Sequence, residues 1–114
     1  MRNSMVDVAK YISKFSPKEV KHFFDNAKAF KKCSKFTCLL SPKQGEFARI
    51  LIITPRASGN SPERNLVKRR LRALFYQYKL YEKPYDCAVI LKPHGCDASY
   101  AALKNLIVKI GQCT

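Results

Sequence analysis

The apolar positions change period several times along the chain. In residues 16–27, Val20, Phe23, Phe24 and Ala27 recur at spacings that share one face of an α-helix. Ser16-Pro17-Lys18-Glu19 is a start signal for it: Ser16 can cap, Pro17 sits where a missing N–H costs nothing, and Glu19 completes a capping box. Residues 35–40 (KFTCLL) and 47–54 (FARILIIT) read as strands, with a short edge strand over 29–33. The Pro- and Gly-containing turn between the two longer strands predicts that they pair as an antiparallel hairpin. Residues 55–61 (PRASGNS) form a loop, and Ser61 can cap a helix running from Pro62 to Lys79. Residues 85–91 (YDCAVIL) read as a strand buried on both faces, since Cys87 to Leu91 is unbroken apolar sequence. After a loop, Asp97 or Ser99 caps a last helix with Leu103, Leu106, Ile107 and Ile110 on one face, and Gly111 stops it. Strands split by helices predict an α/β (α+β) sandwich with a mixed sheet.

A length of 114 residues, 46% of them hydrophobic, suits one domain with its own core. Residues 1–15 read as a loosely attached N-terminal arm with a helical turn near Val6–Ile12, and residues 16–114 as the domain. Charge changes the picture most. Twenty-two Lys and Arg against 8 acids give a net charge of +14, a self-repulsion that a polyanionic partner would relieve. Nucleic acid fits best, because Lys and Arg displace the counterions condensed on phosphates. A membrane is the weaker candidate, since no apolar run approaches the ~20 residues of a span. The N-terminus carries Asp7 and lacks the continuous apolar stretch of a secretory signal, so a cytoplasmic location is expected. The five cysteines are then expected to be reduced. With His22 and His94 they match no zinc spacing, so no protein-held metal is expected.

The helix beginning near Ser61 concentrates this charge. At about 100° per residue, Val67, Leu71, Leu74 and Tyr78 fall together as the core face, bordered by Phe75. Arg64, Lys68, Arg72 and Lys79 fall on an adjacent face, flanked by Asn65, Arg69 and Tyr76. Like charges at i,i+4 destabilise an isolated helix, and no Asp or Glu lies between Arg64 and Tyr81 to offset them. A phosphate backbone would. Arg engages phosphate through its forked donors, and Asn65 both donates and accepts.

The stretch Arg64-Asn65-Leu66-Val67-Lys68-Arg69-Arg70-Leu71-Arg72 resembles the signature of the bacterial ribonuclease P protein subunit: Arg-Asn-Arg, a β-branched residue, Lys-Arg, two variable positions, then Arg. Leu66 departs from it, standing where the family has its second Arg. Upstream, the strand around Arg49–Thr54, Arg56 and Gly59-Asn60 follow the family's strand, Lys-Lys pair and glycine loop, with Ala57 replacing the second Lys. Downstream, Lys92-Pro93 is similar to the family's exit from its last strand. The likeness in element order covers residues 16–111.

The resemblance implies an αβββαβα two-layer sandwich of the ribosomal protein S5 domain 2-like type, with a left-handed crossover. It implies a subunit with no catalytic residues of its own, partnering a catalytic ribonuclease P RNA. That RNA uses Mg2+, held mainly by the RNA, to remove the 5′ leader of precursor tRNA. Arg56, Arg64, Asn65, Lys68, Arg69 and Arg72 would bind RNA. The single-stranded leader would lie in a cleft between the sheet and the first helix, where Phe24 and Phe36 are the candidate stacking rings; Phe23 is read as core, and Leu39 stands near a position where the resemblance implies another ring. No membrane and no obligate protein partner are implied. The rival readings are a general RNA-binding protein and, less favoured, a DNA-binding protein using the basic helix in a major groove. The latter usually needs a helix-turn-helix context, whereas here the neighbouring elements are strands.

Overall fold

The computed structural model describes residues 11–112. The first helix, α1 (Pro17–Asn26), forms as its start signal predicts. Ser16 Oγ accepts from the Glu19 N–H at 3.2 Å, and Glu19 Oε1 accepts from the Ser16 N–H at 2.8 Å. Three strands follow, β1 (Lys28–Lys32), β2 (Phe36–Pro42) and β3 (Ile50–Ile53). Then come α2 (Ser61–Gln77), β4 (Tyr85–Leu91) and α3 (Tyr100–Gly111), with 3-10 turns at Arg56–Ser58, Leu80–Glu82 and Gly95–Asp97. The order is αβββαβα, an α+β fold with one mixed sheet.

The sheet order is β1-β2-β4-β3. β2 is antiparallel to both β1 and β4, while β3 runs parallel to β4. The expected β2–β3 hairpin is therefore absent: β4 inserts between the two. A strand as apolar as β4, with Asp86 to Val89 all buried, is satisfied at the centre of the sheet, where a hydrogen-bonded neighbour lies along each edge. Parallel pairing of β3 with β4 in turn demands a long crossover, and α2 supplies it. β3 is also shorter than expected. At Arg49 the chain leaves the ladder, because its N–H donates to the Asp86 carboxylate at 2.8 Å and the Ala48 N–H donates to the Tyr81 carbonyl at 2.9 Å.

Strand alternation divides the sheet into two faces. Phe36, Cys38, Ile50, Cys87, Val89 and Leu91 join Val67, Leu71, Leu74 and Phe75 of α2 and Leu103, Leu106, Ile107 and Ile110 of α3 in one buried core. The other face carries Thr37, Leu39, Leu51, Ile53, Ala88 and Ile90, as the register requires. Here α1 packs against β2, and Phe23 is fully buried outside the main core.

Residues 11–15 are not a loose arm; residues 1–10 lie outside the described range. Ile12 is 2% exposed and belongs to the core, and its carbonyl accepts from the Ile50 N–H at 2.7 Å. Arg49, only 8% exposed, fixes the rest. Its guanidinium donates to the Lys14 carbonyl at 2.6 Å and to the two carboxylate oxygens of Glu19 at 3.1 and 3.2 Å, and lies 4.2 Å from the Phe15 ring centre. Apolar Ile12 and Phe15 thus give the segment something to bury, and Arg49 gives it a cation to cap.

The hydrogen bonds from Arg49 hold the Glu19 carboxyl below the usual carboxylate range, whereas burial pushes that of Asp86 up. Linkage then gives opposite signs. Glu19 contributes stability that is present above its unfolded pKa and lost as pH falls through its lowered folded value. The Asp86 contribution is present at low pH and lost as pH rises from the ordinary carboxylate value to its raised folded value. Thermal melting across roughly pH 3 to 7 is expected to show a shallower acid loss for Glu19→Gln. Asp86→Asn, which keeps the acceptor for the Arg49 N–H, is expected to gain relative stability towards neutral pH.

Candidate nucleic-acid interface

The helix that carries most of the expected site begins one residue earlier than the sequence suggests. Asn60, not Ser61, is the cap: its Oδ1 accepts from the Glu63 N–H, and Glu63 Oε1 accepts from the Asn60 N–H, both at 2.9 Å. Glu63, the sole acid of α2, is thereby placed at the positive end of the helix, away from the basic positions that follow. Val67, Leu71, Leu74 and Phe75 are buried. Arg64, Lys68 and Arg72 emerge half-buried along one flank, with Asn65 and Arg69 exposed beyond them. The helix ends at Gln77, and Lys79 takes a left-handed conformation with φ 55°. Lys79 therefore leaves the helical wheel and does not extend the basic row, a correction to the expected boundary.

Among the described residues no ion pair engages Arg64, Lys68, Arg69 or Arg72. Arg64 spends one Nη2 donor on Ser61 Oγ at 3.1 Å, while its Nε is buried without a hydrogen-bond partner. Arg64, Lys68 and Arg72 are partly buried as whole residues, the condition in which long cationic side chains lay their stems on apolar surface. Arg56 is exposed on the 3-10 turn leading into α2. The loop around it is held by the His94 N–H, which donates to the Ala57 carbonyl at 3.0 Å. Among the described residues the arrangement is a single-signed surface whose charge an external anion would balance.

The uncovered sheet face is the second element. Leu39, Leu51, Ile53 and Ile90 are half-buried there, and Thr37 lies in the same rows. Phe24 on α1 is 40% exposed and meets Phe23 edge-on at 5.3 Å. These aliphatic side chains share the sheet face against which α1, the helix that carries Phe24, packs. Phe36 is not among them: at 3% exposure it lies in the core on the opposite face, and the expectation that it lines the cleft is corrected. The reason is period two: Phe36 shares its face with Cys38, and Leu39 points the other way. The aliphatic character of this face escaped sequence reasoning because an unbroken apolar strand does not reveal which face a helix covers.

His22 is exposed on α1, and His94 lines a crevice of about 80 Å³ with Glu63 and Asp97. Both acids are already engaged, Glu63 in the cap and Asp97 with Lys35. No three His, Cys, Asp or Glu side chains cluster as a metal site among the described residues. Among those residues, too, no helix is long and apolar enough to cross a membrane.

The model of the family described as Ribonuclease P matches residues 16–113. This chain belongs to the ribonuclease P protein family. No curated protein sequence matches it, so the relationship is carried by the family pattern and the fold. The Staphylococcus aureus RNase P protein, as a mutant with defective mRNA degradation activity, is 19% identical with a TM-score of 0.73, over 97% of this chain and 98% of that one. The Thermotoga maritima RNase P protein is 18% identical with a TM-score of 0.71, over 90% and 97%. At such identities the two structures establish the shared fold. Within the family match, the signature falls on α2, where Arg64, Lys68 and Arg72 form one row and Leu66 lies off it.

Proposed function

We propose that this chain is the cytoplasmic protein subunit of ribonuclease P. It binds the catalytic RNA through the α2 flank and holds the 5′ leader of precursor tRNA on the open sheet face. By doing so it promotes endonucleolytic removal of the leader in tRNA 5′ maturation. The observation that carries this reading is the signature helix itself: cations with no ion pair among the described residues, on a helix whose other side is locked into the core of a fold shared with ribonuclease P proteins. The RNA performs the hydrolysis, with Mg2+ held mainly by the RNA. The chain's own work is electrostatic and positional. Arg64, Lys68, Arg69 and Arg72 neutralise phosphates, Asn65 orients the contact, and Arg56 extends the surface.

The leader is read as a single strand lying on the open sheet face. Backbone charge and ring stacking hold single strands with little sequence preference, and Phe24 is the exposed ring placed to stack. The test is the affinity of the protein–RNA complex for precursor tRNA against the same tRNA without its leader. The leader-bearing substrate is expected to bind more tightly, and Phe24→Ala is expected to remove several-fold of that difference. Equal affinity for the two substrates would favour a general RNA-binding protein instead.

A further inference from the structure

α2 bears cations on both flanks, and the function proposed so far uses one. Arg70 lies on the other flank, towards α3, with its guanidinium 5.6 Å from the ring centre of Tyr100 at the start of α3. Tyr100 is 45% exposed, the highest value among the exposed large hydrophobic residues. Lys104 follows it by one helical turn and is also exposed, which puts the two side chains side by side. Among the described residues no ion pair engages Arg70: α3 contains no acid, and Glu63, the sole acid of α2, is used in the cap. Leu66 precedes Arg70 by one turn, so this flank presents its charge in front of α3 rather than at the start of the helix.

An exposed cation–ring contact is weak on its own, and an unexposed aliphatic pair would join the helices better. An accessible ring, a guanidinium plane and an ammonium one helical turn from the ring are instead the parts that hold an unpaired nucleotide: the base stacks, and the cations take the phosphate. We propose that Arg70, Tyr100 and Lys104 form a second RNA subsite, where α2 meets α3, that takes one unpaired nucleotide. The subsite rests on the RNA-binding reading above. The nucleotide comes either from the ribonuclease P RNA or from precursor tRNA, which share this chemistry.

The test uses the full chain and two labelled RNAs, the cognate ribonuclease P RNA and a leader-bearing precursor tRNA bound to the assembled complex. Tyr100→Leu, which keeps apolar bulk without a ring, is expected to weaken binding of one of them about tenfold, as loss of a stacked base does. Tyr100→Phe is expected to restore it, and Arg70→Ala to weaken the same RNA and flatten its salt dependence. The RNA that responds identifies the source. Melting temperatures near that of the unmodified chain show that the fold is intact. Unchanged affinity of Tyr100→Leu for both RNAs, with Arg69→Ala still weakening binding, would overturn the subsite alone. If the unmodified chain bound neither RNA, the subsite and the reading beneath it would both fall.

Discussion

Replacing Arg64, Lys68 and Arg72 together by alanine is expected to lower affinity for the catalytic RNA about a hundredfold near 0.1 M salt, with the fold retained. Each neutralised phosphate contributes about 0.7 to 0.9 to the slope of log affinity against log salt. Three lost contacts therefore flatten that slope by about 2 to 3, and extrapolation from ~1 M salt, where the electrostatic part vanishes, gives the hundredfold figure. The fold should survive because the three side chains are only half-buried, have no ion-pair partner among the described residues, and stand next to one another with like charge. Removing them relieves repulsion. Titrations at several salt concentrations check this. An affinity loss with an unchanged slope would mean that the row acts through shape rather than phosphate charge.

The second large effect concerns stability. Phe23→Ala is expected to cost about 3 to 5 kcal/mol, the usual range for a buried phenylalanine. Phe23 is fully buried, and its ring meets Phe15 at 6.5 Å and Phe24 at 5.3 Å. Its loss should detach α1 from β2 and release the Phe15 contact as well. For a domain of this size the melting temperature should drop by roughly 15 °C. Phe24→Ala, one residue along, should change melting little, because that ring is 40% exposed. Adjacent phenylalanines thus separate folding from binding. Equal destabilisation by both would show that the Phe24 ring supports α1 rather than facing a ligand.

Local signals were the legible part of this sequence. The capping box at Ser16 and Glu19, the face of Val67, Leu71 and Leu74 on α2 and the Ser99 cap of α3 follow from spacing within one turn or a few residues, whereas Tyr78 lies exposed past the end of α2 and Gly111 is still helical, with Gln112 as the cap. The row of Arg64, Lys68 and Arg72 was legible for the same reason, as helical periodicity fixes which side chains are neighbours. Pairing was not. β2 and β3 are consecutive and separated by a turn sequence, yet β4, some thirty residues on, lies between them. Nothing local encodes that choice; it places the most deeply buried strand, β4, between two hydrogen-bonded neighbours. The side taken by Phe36 was hidden likewise, since KFTCLL is apolar at alternate and at consecutive positions. Arg49 read as an ordinary strand residue, whereas its contacts with Lys14, Phe15 and Glu19 join segments far apart in sequence. The pairing of Asn60 with Glu63 was available in the sequence, but Ser61-Pro62 offered a competing start one residue later.

The most direct measurement is cleavage of a precursor tRNA at low magnesium by the cognate ribonuclease P RNA, with and without this protein. Neutralised RNA–RNA repulsion should let the complex cleave at the correct 5′ site where the RNA alone is nearly inactive, while the protein alone cleaves nothing. Unchanged cleavage on adding protein that demonstrably binds the RNA would contradict the account.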